Sequence, residues 1–167
     1  MKLNLGCGYN KMEGWTNVDS DPECKPDLCF DITKPNWPIE DNTVEMATAE
    51  HVLEHLEGIE GYKTFWQELY RVCKHDAIIN IEVPHWEHAT FHHDPTHCRK
   101  VTPIGIAMMD QQRNQDDLKN GGRETKLGFM WHVDFAMQGV NFGFDNTDAT
   151  PMVCYYGTKV VKPARYV

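Results

Sequence analysis

A glycine pair behind a short apolar run, two acids that each close a later run, and a crowd of histidines are the residues here whose types and spacing suit chemistry. Gly6-Cys7-Gly8 follows Leu3 to Leu5 directly. In open α/β sheets ligands bind at the carboxyl ends of strands, and glycine there lets backbone approach a ligand at angles other residues avoid. A dinucleotide fingerprint would need a third glycine where Lys11 stands, and no GxxxxGK[ST] stretch cradles phosphates. Asp19, closing the second apolar run, suits two ribose hydroxyls, and Asp31, near the end of the third, suits an adenine amino group. The plainer alternatives are a tight turn without a ligand for the glycines and a loop carboxylate or helix cap for each acid.

The histidines allow several chemistries. His51-Val52-Leu53-Glu54-His55 has the HxxEH form. On a helix its two imidazoles would share a face and hold zinc with Glu54 as base, the reading of a metal-dependent hydrolase. Five of the nine histidines, His85, His88, His92, His93 and His97, fall in one stretch with Asp94. Substrate recognition with proton transfer, a structural loop, and a metal site all fit that density. Trp86, Phe91, Phe129 and Trp131 suit either a pocket wall or the core.

The elements that must position these groups follow from periodicity. Leu3 to Leu5, Thr16 to Asp19, Leu28 to Ile32 and Val44 to Ala49 read as short strands, with a turn-rich break at Lys34-Pro35-Asn36-Trp37-Pro38. A helix is expected to open around Glu50-His51. Phe65, Leu69 and Val72, with Trp66 and Cys73 beside them, recur at helical spacing between Gly61 and Lys74. Ala77 to Val83 is a β-run stopped by Pro84. This succession predicts an α/β, Rossmann-like, mostly parallel sheet flanked by helices. Beyond it, Pro103 to Gln112 reads as a short helix and Asn114 to Lys126 as a mobile loop. Phe129 to Gln138 and Met152 to Val161 read as an antiparallel strand pair at the C-terminal sheet edge. One domain over 1–167 is expected, with residues 1–84 forming a cofactor-binding half and 85–167 a substrate-side half.

Composition narrows the classes. Apolar residues make up 41% and charged ones 25%, an ordinary globular balance. A net charge of −9 argues against charge-driven binding to extended nucleic acid or to an anionic membrane. No apolar run is long enough to span a bilayer, and the opening residues read as strand rather than signal peptide. Cys7, Cys24, Cys29, Cys73, Cys98 and Cys154 form no CxxC pair, so they read as free thiols in a reducing, cytoplasmic setting, and no metal ligand is assigned.

Four stretches in order then carry a resemblance. Leu5-Gly6-Cys7-Gly8, Gly14-Trp15-Thr16-Asn17-Val18-Asp19, Asp31, and Glu50-His51-Val52-Leu53-Glu54-His55-Leu56 resemble class I S-adenosylmethionine-dependent methyltransferases. More narrowly they resemble a compact group with GCG, GWxNVD and HVLEHL motifs, and Asp94-Pro95-Thr96-His97 resembles a DPTH stretch of that group. The resemblance covers roughly residues 1–100. It implies S-adenosylmethionine as cofactor, with Leu5, Gly6, Cys7 and Gly8 beside its aminoacyl part and Asp19 and Ser20 at the ribose. Asp31 and Ile32 would lie near the adenine, and Glu50 and His51 near the sulfonium. His51 is the first candidate base for a small-molecule acceptor and His93 the second. His85, His92, His93 and His97 are the candidate acceptor-binding residues. A non-catalytic module binding a nucleoside-type ligand is a further alternative. Two departures stand out. Only ten residues separate Gly8 from Asp19, near the minimum for a parallel crossover, so the first helix must be very short or replaced by a loop. The sequence also begins at the first strand, without the N-terminal helices common in the family. A partner subunit, such as a second copy in a homo-oligomer, would supply that cover.

Overall fold

The computed structural model describes residues 1–144 and 150–163; the remainder of the expected substrate-side half lies outside the described residues. Apolar residues alternate with polar ones in β1 (Lys2–Leu5), β4 (Val44–Glu50) and β5 (Cys73–Pro84). Each strand therefore turns one face inward, with Leu3, Leu5, Ala47, Ala49, Ile79, Ile81 and Val83 nearly inaccessible. β1 pairs in parallel with both β2 (Thr16–Asp19) and β4, β2 with β3 (Leu28–Cys29), and β4 with β5. β7 (Val153–Val160) runs antiparallel between β5 and the edge strand β6 (Phe135–Gly143). The order is β3-β2-β1-β4-β5-β7-β6. This is the expected α/β, Rossmann-like sheet with its antiparallel pair at the edge.

Helix α1 (Ile59–Val72) joins β4 to β5 and buries Tyr62, Phe65, Trp66, Leu69 and Val72 at helical spacing. Edge-on aromatic contacts tie it to the second half, Trp66 to Phe135 at 4.9 Å and Tyr62 to Trp131 at 6.1 Å between centroids. Ile106 of α3 (Pro103–Ala107) and Trp131 of α5 (Leu127–Trp131) enter the same core cluster as Leu3, Val18 and Tyr156. The opposite sheet face is polar. It carries Asn4, Asn17, Thr48, Glu50, Asn80, Glu82 and Tyr155, and a groove of about 390 Å³ crosses it over β4, β5, β7 and β6. The β1–β2 crossover on that side is a loop, the second of the two options that the short spacing allows. Asn4 Nδ2 donates to the Asn10 carbonyl, and Met12 N donates to Asn17 Oδ1.

Several segments depart from expectation, the third strand ending at Cys29 and the helix from Pro103 at Ala107 among them. Phe129 to Trp131 belongs to α5 rather than to a strand: Met130 N bonds to the Lys126 carbonyl, and a left-handed His132 ends the turn. Asn114 to Lys119 is helical, within α4 (Gln111–Lys119). Asp110 caps α4 through a 3.0 Å bond from Arg113 N, and the buried Asn114 donates to the Met108 carbonyl, so its charges are a solvated helix face. The helix expected at Glu50-His51 is a single 3-10 turn, Leu53–His55, because β4 continues through Glu50 and His51 takes a left-handed φ of 53°.

Candidate functional site

The chain runs from β1 outward to β3 and then returns to β4 on the other side of β1, so the strand order reverses between β1 and β4. That switch point is where an open α/β sheet leaves a crevice at its carboxyl ends. A cleft of about 350 Å³ opens there, lined by Gly6, Asp19, Ser20, Phe30, Asp31, Ile32, Thr33, His51, Val52, His55 and Leu56. It adjoins a second hollow of about 490 Å³ that shares Ser20, Asp31, Thr33 and His55.

Gly6 is demanded by the geometry. Its φ is +64°, and a Cβ there would lie 2.4 Å from Val52 Cγ2, so the loops after β1 and β4 meet only without a side chain. Gly8 N donates to Asp19 Oδ2 at 2.7 Å, and Asp19 Oδ1 accepts from Asp21 N at 2.9 Å. Each Asp19 oxygen retains a lone pair for a further donor. Leu5 and Cys7 are core residues and do not line the cleft, and Gly8 reaches it only through Asp19. Burial and the nearby Asp19 charge push the Cys7 thiol up, leaving it unsuited to nucleophilic work.

Ser20, Asp31 and Ile32 line the cleft as expected. Asp31 Oδ1 also closes a turn, accepting from Thr33 N at 2.8 Å and Thr33 Oγ1 at 2.6 Å. Desolvation would raise its carboxyl, but the Thr33 bonds and Lys34 outweigh it and hold the group below its ordinary range.

His51 lies between carboxylates. Its Nδ1 is 3.3 Å from Glu54 Oε1 and its Nε2 is 3.4 Å from Glu82 Oε1, while about half of the side chain stays exposed. The Glu54 hydrogen bond raises the imidazole against partial desolvation, and the charges of Glu54 and Glu82 add to it. Glu50 is exposed and lies in the groove of the polar face beside Glu82, not in the cleft.

The histidine-rich segment divides. His85 is buried and stacked on Trp86 at 4.0 Å, and desolvation pulls its imidazole down. His88 is buried and caps α2 (Ala89–His93), accepting from Thr90 N. His92 and His93 are exposed on the last turn of α2, and His93 opens on a shallow hollow with Asp94 and His97 rather than on the cleft. His97 turns inward onto His55, which does line the cleft. Phe91 and Trp131 are buried. His51 and His55 do not share a helical face, so the HxxEH arrangement of a zinc hydrolase is not formed.

Sequence reasoning missed Val52, Thr33 and Glu82. The available signal for Glu82 was an acid that, with Asn80, alternates with the apolar residues Ile79, Ile81 and Val83 near the end of that strand.

Several solved structures share this architecture. A SAM dependent methyltransferase from Archaeoglobus fulgidus, 19% identical, matches over 95% of this chain and 85% of its own with a TM-score of 0.58. An S-adenosylmethionine-dependent methyltransferase from Clostridium acetobutylicum, 11% identical, matches over 96% and 84% with a TM-score of 0.60. The 1,6-didemethyltoxoflavin-N1-methyltransferase of Burkholderia thailandensis, solved with bound 1,6-didemethyltoxoflavin and S-adenosylhomocysteine, matches over 96% and 71% at 12% identity and a TM-score of 0.57. The chain thus has the fold of S-adenosylmethionine-dependent methyltransferases. No protein-family model and no curated protein sequence matches it.

Proposed function

We propose that the chain is an S-adenosylmethionine-dependent methyltransferase acting on a small-molecule acceptor, with residues 1–84 as its cofactor-binding half and 85–167 as its substrate-side half. The observation that carries this reading is the switch-point cleft itself, with Gly6 at its base and Asp19 bonded to Gly8 N. Its size falls at the lower end of the range for small-ligand sites, roughly 300–1,000 Å³. The described residues lining it offer two carboxylates and no Lys or Arg. Those acceptors suit a ligand with ribose hydroxyls and an amino group but no phosphates.

When bound, S-adenosylmethionine supplies a methyl group on a positively charged sulfur. Asp19 accepts from the ribose hydroxyls while fixing the glycine loop, Ser20 lies beside it, and Asp31 with Ile32 frames the adenine. Glu50 and Glu82 make the strand ends acidic, which favours a sulfonium over an anion. His51, held by Glu54 and Glu82, is the group placed to take a proton from the acceptor. His92 and His93 are the imidazoles of the acceptor-side segment open to solvent. The small acceptor bound by the Burkholderia neighbour and the acidic charge of this chain both favour a small molecule over nucleic acid. No helix of the described residues is long and apolar enough to cross a membrane, and we place the protein in the cytoplasm on its thiol pattern.

The test is titration with S-adenosylmethionine and S-adenosylhomocysteine, followed by binding heat and melting temperature. Ligand at 100 times its dissociation constant stabilises the fold by about 2.7 kcal/mol. A rise with both compounds that Asp19→Ala removes is the expected result. No heat and no shift with either compound would overturn the reading.

A further inference from the structure

We propose that Glu54, His55 and His97 form a site for a divalent transition-metal ion of the zinc type, pinning the acceptor-side segment to the turn after β4. One ligand atom from each residue lies within 4.8 Å of the others. Glu54 is 1% exposed, and its Oε2 has no hydrogen-bond partner. A buried carboxylate oxygen without a donor is costly; Oε1 is the oxygen nearer His55 and also faces His51, and a cation bound by the same carboxylate would offset that cost.

The two imidazoles are already turned for coordination. His97 Nδ1 lies 2.9 Å from the Phe91 carbonyl, which can only accept, so the ring proton sits there and Nε2 keeps its lone pair. Thr96 Oγ1 donates to Asp94 Oδ1 at 2.6 Å and therefore accepts from His55 Nδ1 at 2.9 Å. That leaves the His55 Nε2 lone pair 4.0 Å from Glu54 Oε1. The rings meet edge to face at 4.7 Å between centroids. Metal-ligating histidines characteristically donate their second ring N–H to a carbonyl or carboxylate in this way. Asp94 Oδ2 lies 3.8 Å from His97 Nε2, outside the three-residue set but beside one of its imidazoles.

Two imidazole nitrogens with carboxylate oxygens suit zinc rather than magnesium or calcium. Bonds of about 2.0–2.2 Å set tetrahedral ligand atoms roughly 3.4 Å apart, so modest side-chain rotation closes the set. The anchoring segments are already joined, since Cys98 N and Arg99 N both donate to the Glu54 carbonyl, at 2.9 and 3.1 Å. The site differs from an HxxEH centre, because His51 is turned toward Glu82 and the second imidazole comes from a distant segment. It stands independently of the methyltransferase reading.

The experiment is titration of the chelator-stripped full chain with Zn²⁺ by calorimetry and melting temperature, repeated with Co²⁺ for its visible d–d bands. One tight equivalent, a raised melting temperature and tetrahedral cobalt bands are expected. His97→Ala and His55→Ala should weaken Zn²⁺ binding more than a hundredfold and abolish the cobalt bands. Thr96→Val, which breaks the relay to Asp94, should weaken it about 10–100-fold, and His132→Asn should change nothing. His97→Ala, with folding checked by circular dichroism, keeps the test decisive if Glu54→Gln fails to fold. Absence of a stoichiometric site, or one that His97→Ala leaves intact, would overturn the proposal.

Discussion

The Gly8 amide donates to Asp19 Oδ2 at 2.7 Å, so the carboxylate that closes β2 also shapes the loop that follows β1. Asp19→Asn retains the size of the side chain but loses its charge. It should weaken S-adenosylhomocysteine binding roughly 10–100-fold, the worth of one or two hydrogen bonds to a charged group. Calorimetry of the variant beside the wild type checks this.

The two glycines of the loop are not equivalent. Gly6→Ala should cost about 2–4 kcal/mol, combining a left-handed φ with overlap on Val52. Gly8→Ala, where a Cβ meets nothing within 4 Å, should cost about 1 kcal/mol. Adding Val52→Ala should rescue part of the Gly6→Ala loss, with a coupling of about 1 kcal/mol or more in urea denaturation. Strict additivity would rule out the contact as the cause.

His51→Ala should lower turnover roughly 10²–10⁴-fold while cofactor affinity stays near the wild-type value. Loss of affinity with little change in turnover at saturation would instead make His51 a binding residue. The comparison requires an acceptor found by screening small nucleophiles with labelled cofactor.

Glu68 and Arg71 give the fold its acid limit. Glu68 is nearly buried and accepts from Trp37 N at 2.8 Å and from the Arg71 guanidinium at 2.7 Å. Burial alone would raise its carboxyl, but Arg71 and the backbone donors hold it below its ordinary range. A group with a lowered folded value stabilises above its unfolded value, about 4.3 for glutamate, and that share is lost as pH falls toward the folded value. Glu68→Gln should therefore cost about 1.5–3 kcal/mol near neutrality and flatten the loss of stability below about pH 4.3. Melting temperature against pH for both proteins measures it.

The half of the sheet built from β1 to β5 was legible because its signals are local. Leu3, Leu5, Ala47 and Ile79 alternate with polar neighbours, and the short Gly8–Asp19 spacing called for a very short helix or a loop. The second half was less so. Phe129-Met130-Trp131 has strand-like composition, yet it lies in a helical turn whose Trp131 meets Tyr62 edge to face. The cleft residues Gly6, Asp19 and Asp31 were readable from their places behind strands. The fates of the histidines were not, because burial of His85 and the meeting of His55 with His97 depend on contacts more than forty residues apart in sequence.

The loop that replaces a helix between β1 and β2 has a dynamic consequence. β2 and β3 form the lightly roofed margin of the sheet, tied down by hydrogen bonds that the side chains of Asn17, Asp19 and Asp27 accept rather than by a packed helix. Such margins open at lower free energy than the interior of a fold. The carboxylate offered to the cofactor thus stands on the portion of backbone whose amides should exchange earliest, and occupancy of the cleft should slow that exchange most. Ligand binding would be felt there as stiffening, drawing on the conformational entropy of β2 and β3 before any side chain moves.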